Sequence, residues 1–127
     1  MPKYSDRVND VVCWIEKDYQ SGTITLYNED YKHLINHTVM IRNENAIKET
    51  IRDPDFVERD KNAEDRRVFY KYTPTATYYP NKSTGVVVEY ADATQTDGRI
   101  VTAYPARKEG KSDAERVYER DKNSWLW

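Results

Sequence analysis

The sequence predicts an α+β fold in which an N-terminal hairpin and two helices pack on a curved antiparallel sheet, followed by a helical C-terminal tail. Three observations predict it. The hydrophobic period is strand-like from Val11, becomes helical at Asn28 and returns to strand-like after Pro54. Runs of β-branched and aromatic residues then recur between turn residues, which reads as a meander. The chain has 127 residues, the size of a single domain spanning 1–127, and can bury roughly two-thirds of its unfolded surface without metals or disulfides.

The elements follow in order. Val11 to Lys17 (VVCWIEK) and Thr23 to Tyr27 (TITLY) form a hairpin around the turn residues Ser21 and Gly22. Asn28 is a good N-cap, Glu29 and Asp30 complement the first-turn dipole, and Tyr31, Leu34 and Ile35 recur at helical spacing, so a short helix runs to about His37. A second helix starts at the cap Asn43, turns Ala46, Ile47, Thr50 and Ile51 inward, and stops before Asp53 because Pro54 disfavours a helical residue ahead of it. Phe56 to Arg59, Arg67 to Tyr72, Val86 to Tyr90 and Arg99 to Tyr104 are the meander strands. The unalternating VVV of Val86 to Val88 belongs mid-sheet, covered on both faces. Ser112 and Glu115 form a capping-box pattern, which predicts a helix from Asp113 to about Lys122 within the tail 108–127.

Composition excludes several classes. The single Cys13 cannot form an internal bridge, and its apolar setting predicts a buried thiol in a reducing, cytoplasmic setting. The start MPKYSDRVND lacks the apolar core of a signal peptide, and no apolar run is long enough to cross a bilayer, so no membrane partner is expected. The net charge of −2 is not that of a strongly basic nucleic-acid binder. Residues 1–60 nevertheless carry 8 Lys and Arg against 12 Asp and Glu, and residues 61–127 carry 12 against 10, so a phosphate-facing surface belongs to the second half. The 11 tyrosines suit base stacking and a tyrosine-rich sheet equally. The glycines are isolated, which argues against a phosphate loop, and no serine sits in a nucleophile elbow.

Both histidines, His33 and His37, lie four residues apart in NEDYKHLINHTVMIR. A zinc site on this helix face lacks further ligands and the HExxH pattern, so no metal and no cofactor is expected. The pair reads either as proton-transfer groups or as helix-surface residues. Cleavage of RNA through its own 2′-hydroxyl needs a proton acceptor, a proton donor and cations beside the phosphate, and requires no metal. His33, His37, Lys71 and Thr102 are candidate catalytic residues, and Arg67, Tyr104 and Arg107 candidate substrate-binding residues. Strand alternation places Arg67, Phe69 and Lys71 on one face, and Ile100, Thr102 and Tyr104 on one face, each set also compatible with an ordinary outer surface.

The strings Tyr31-Lys32-His33-Leu34, Asn36-His37-Thr38, Asp53-Pro54-Asp55, Phe69-Tyr70-Lys71, Val86-Val87-Val88 and Thr102-Ala103-Tyr104 stand in an order that resembles a phage-associated family of nuclease domains. That family is related to barnase, EndoU, colicin-type anticodon nucleases and RelE-like toxins (the BECR fold). The resemblance covers about residues 23–107 and departs at Asn36-His37-Thr38-Val39, where the family's Arg, Pro and Glu are absent. It implies a metal-independent ribonuclease, a toxin or phage nuclease acting on tRNA or other RNA, with a cognate immunity or antitoxin protein as partner. The altered string leaves open a non-catalytic protein-interaction or RNA-binding module on the same scaffold.

Overall fold

The computed structural model describes residues 11–35, 38–107 and 114–120. Strands β1 (Val12–Lys17) and β2 (Thr23–Tyr27) form the expected hairpin, and β2 runs directly into α1 (Asn28–Ile35). A one-turn helix that the periodicity does not announce, α2 (Thr38–Ile41), precedes α3 (Glu44–Arg52). The chain then makes the meander β3 (Phe56–Arg59), β4 (Arg66–Thr73), β5 (Lys82–Tyr90) and β6 (Asp97–Ala106), and returns as β7 (Arg116–Glu119). These strands form one seven-stranded sheet in the order β1-β2-β6-β5-β4-β3-β7.

The switch at Pro54 holds to the residue: α3 ends at Arg52, and the Asp53 N–H donates to the Glu49 carbonyl at 2.8 Å. Ile47, Thr50 and Ile51 are its buried face. Asn43 stands at the N-cap but does not cap. Its side chain instead donates to the Val39 and Thr77 carbonyls at 2.5 and 2.8 Å and accepts from the Thr77 N–H, tying the helical layer to the loop that follows β4.

β5 is the central strand, as its unalternating valines require. Val86 and Val88 face the helices in a cluster with Ile24, Leu26, Ile47 and Phe69, whereas Val87 packs on the other side with Phe56, Val68, Tyr70 and Tyr104. Each fully buried Leu, Ile or Phe contributes about 1.5–3 kcal/mol, so both faces matter to stability. Among the described residues no helix is long and apolar enough to cross a membrane.

The structure corrects several expectations. The sheet is only mostly antiparallel, because β2 pairs with β6 in parallel, Thr25 opposite Arg99. This follows from the chain crossing from the hairpin through the helices and the whole meander before β6 arrives beside it. Residues 116–119 are a strand where the capping-box pattern predicts helix. The outer edge of β3 needs backbone partners, and the tail supplies them: the Arg59 N–H donates to the Glu115 carbonyl and the Arg120 N–H to the Asp55 carbonyl, both at 2.8 Å. Glu115 pairs through its carboxylate with Arg59 at 3.0 Å, and Ser112 lies outside the described residues. Cys13 is exposed rather than buried, since β1 is an edge strand whose register shifts between Val12 and Trp14, and Trp14 is the residue that turns to the core.

Candidate active site on the helix-free sheet face

The predicted site residues divide between the two faces. Lys71 shares the helix side with Phe69, and its ammonium donates to the Asp53 carbonyl at 3.0 Å while meeting the Asp53 carboxylate at 3.4 Å. It therefore closes the C-terminal end of α3 rather than facing solvent. Arg67, on the same side, donates to the Glu64 and Arg66 carbonyls, both at 2.8 Å. His33 is exposed on α1, a helix that packs on β6. His37 lies outside the described residues, and Arg107 is exposed just past the end of β6. Among the described residues no three His, Cys, Asp or Glu side chains gather as a metal site would require.

Thr102 and Tyr104 are on the opposite face, away from Lys71. The register of β5 and β6 shifts between Val87 and Val88, so that Thr102 opposes Val87 while Ile100 opposes Val88. Directly paired residues share a face. Val101 is thus the extra residue of a β-bulge, and Ile100 turns to the helix-side core while Thr102 and Tyr104 turn away from it. Strict alternation had put all three together. The same bulge prevents Lys71 and Thr102 from converging on one substrate.

What the helix-free face does gather is a chain of oxygens. The ring of Tyr104 lies across β5 at Gly85, where a Cβ would stand 3.0 Å from its Cε2 and Cζ and press on the ring. Its hydroxyl reaches the Tyr70 hydroxyl on β4 at 3.2 Å. Tyr70 is 1 % exposed, and burial, the hydrogen bond with Tyr104 and the charge of nearby Glu58 together push its pKa well above that of a free tyrosine. Glu58 on β3, also 1 % exposed, opposes Val68 and so lies on the same face beside Tyr70. Glu58 and Tyr104 open on one cavity of about 250 Å³, floored by Val68 and Val87 and rimmed by Arg59, Asp60, Lys61, Asn62 and Ala114.

No family model, curated protein or solved structure matches the chain.

The chemistry of this face is therefore read from its own geometry. A buried carboxylate beside two hydrogen-bonded phenols, with Glu58 and Tyr104 both lining the cavity, can draw a proton from a group bound there. On the same face β7 sets Arg116 opposite Glu58, with its guanidinium 3.9 Å from the centre of the Phe56 ring and 2.8 Å from the Glu119 carboxylate. Phe56 in turn stacks on Tyr70, ring centres 4.8 Å apart.

Sequence reasoning missed Glu58, Tyr70 and Arg116. With 22 acidic residues, no spacing singles out one carboxylate. The available signal is the alternation of FVER, which gives Glu58 the parity of Phe56 and so puts a carboxylate among apolar side chains.

Proposed function

We propose that the chain is a metal-independent endoribonuclease of the BECR type, a cytoplasmic toxin or phage nuclease, that cleaves tRNA or other RNA on the helix-free face of its sheet. The observation that carries this reading is the Glu58–Tyr70–Tyr104 chain, which leads from a buried carboxylate into the cavity. The ordered strings shared with that nuclease family support it.

In this reading the substrate 2′-hydroxyl gives its proton to the Tyr104 oxygen as the Tyr104 proton passes to Tyr70 and that of Tyr70 to Glu58. The 2′-oxygen attacks phosphorus, the bond to the 5′-oxygen breaks, and a 2′,3′-cyclic phosphate remains. Water protonates the leaving oxygen, because His33 is carried by α1, whose Leu34 packs in the core on the other side of the sheet. Thr102 orients the phosphate, and Lys61 at the rim offsets the charge that develops on it. A proton-transfer group of this kind contributes about 10²- to 10⁴-fold to the rate.

The test is incubation of the purified protein with total tRNA in the presence of a chelator, beside Glu58→Gln, Tyr104→Phe and His33→Ala. Fragments ending in cyclic phosphate are expected from the wild type, with Glu58→Gln and Tyr104→Phe reduced by about two orders of magnitude or more and His33→Ala at the wild-type rate. Absence of fragments from the wild type, or undiminished cleavage by Glu58→Gln, refutes the assignment. A second reading, a non-catalytic RNA-binding or protein-interaction module, draws on one observation: Lys71 and Arg67 are both engaged by backbone carbonyls. RNA retention without cleavage would establish it. A cognate immunity or antitoxin protein is the partner expected of the first reading alone.

A further inference from the structure

Arg116 comes from the tail, outside the stretch that carries the family strings, yet the sheet brings it to the face that holds the oxygen chain. It opposes Glu58 across β3 and β7, a separation of roughly 4.5–5.5 Å between directly opposed positions. Its guanidinium rests on Phe56, Phe56 stacks on Tyr70, and the Tyr70 hydroxyl meets that of Tyr104. These contacts make a continuous shelf from the edge of the sheet at β7 to β6. A guanidinium lying on an aromatic ring keeps its N–H edges directed outward, the geometry that receives two oxygens of one anion. Glu119 already presents such an anion, a carboxylate 2.8 Å from Nη1 with both side chains 37 % exposed.

We propose that β7 completes the site and that Arg116 is a substrate-positioning residue, the seat for a phosphodiester of single-stranded RNA next to the one cleaved, with Glu119 competing for the same guanidinium. This inference rests on the ribonuclease reading and adds to it a substrate-binding residue and an internal competitor. An incoming phosphate carries the same planar pair of acceptor oxygens as Glu119 and takes its place. Phe56, held against Tyr70, keeps the guanidinium at the height of the shelf while the exchange occurs.

The experiment measures binding of a fluorescent single-stranded RNA oligonucleotide by anisotropy across a salt series. The background is Glu58→Gln, in which bound RNA stays intact, with Tyr104→Phe as a second background should Glu58→Gln melt early. Arg116→Ala is expected to weaken binding roughly tenfold, the loss of one charge-assisted contact, and to lower the salt slope by about 0.7. Arg116→Lys restores the slope but only part of the affinity, because the ammonium is a point charge. Glu119→Gln tightens binding, a result that a purely structural role for the ion pair does not produce. Equal affinity and slope for Arg116→Ala, or weaker binding by Glu119→Gln, overturns the inference. If the wild type cleaves RNA under those outcomes, the ribonuclease reading survives. If neither background binds RNA and the wild type does not cleave it, both fall.

Discussion

Arg99 on β6 and Asp30 on α1 form an ion pair, Nη1 to Oδ1 2.9 Å, in which the side chains are 0 % and 3 % exposed. The same guanidinium donates through Nε to Glu89 at 3.2 Å, and Glu89 accepts from Arg66 at 3.2 Å. Removing Asp30 leaves the buried guanidinium only Glu89, a carboxylate it already shares with Arg66. Asp30→Ala is therefore expected to cost about 3–5 kcal/mol in urea unfolding. Asp30→Leu combined with Arg99→Met should cost less than the two single changes added together. Additive losses would show that the two groups do not act as a pair.

The passage of the Tyr104 ring over Gly85 gives a second prediction. Gly85→Ala puts a methyl against Cε2 and Cζ of that ring at 3.0 Å, an overpacking expected to cost about 1–3 kcal/mol and to separate the Tyr70 and Tyr104 hydroxyls. In a Tyr104→Ala background the same change should be nearly silent, because the ring it collides with is gone. Equal costs in the two backgrounds would point to the strand backbone instead.

Lys71 provides a contrast. It closes the end of α3 against Asp53, which is 61 % exposed, so solvent screening keeps the pair weak. Lys71→Ala should cost no more than about 1 kcal/mol in thermal unfolding and, on the proposed ribonuclease reading, leave RNA cleavage at the wild-type rate. A cleavage defect with normal stability would return Lys71 to the site.

Alkaline pH tests the buried phenols. Burial raises the pKa of Tyr70 and of Tyr90, and the hydrogen bond of Tyr90 to Asp18 at 2.5 Å adds to the rise. In the unfolded chain these groups ionise near pH 10. Their contribution to stability is fully present below that value and is lost as pH climbs through the raised folded values. The part of the urea midpoint that these phenols carry should be constant below about pH 10 and fall above it, with the last of the tyrosinate absorbance appearing only as the chain unfolds. Tyrosinate that titrates fully near pH 10 in a folded chain would show that these hydroxyls are not shielded.

The parts of the fold legible in the sequence are those set by local rules. TITLY bounds β2 at both ends, Pro54 stops α3, and VVV sits mid-sheet. The parts that were not legible depend on distant partners. Glu115 begins a plausible helix by itself, but the open edge of β3 recruits its backbone carbonyl and makes the following residues a strand. A single bulged residue, Val101, reverses the parity of everything after it in β6, and no local signal marks it. That reversal explains why Thr102 and Tyr104 could be named as candidates while their proper neighbours, Tyr70 and Glu58, could not.

The parallel pairing of β2 with β6 bears on how the protein is made. Thr25 leaves the ribosome before its partner Arg99, which follows only after the helices and most of the meander. The hairpin cannot take its place in the sheet until then, and pairing over so long a separation is slow because the intervening loop must first be closed. β6 also carries Tyr104, so the strand whose arrival seats the hairpin is the strand that brings the cavity's phenol into position. A nascent chain halted before β6 therefore holds neither a finished sheet nor the cavity, and on the proposed ribonuclease reading that delay would spare the RNA of the ribosome producing it.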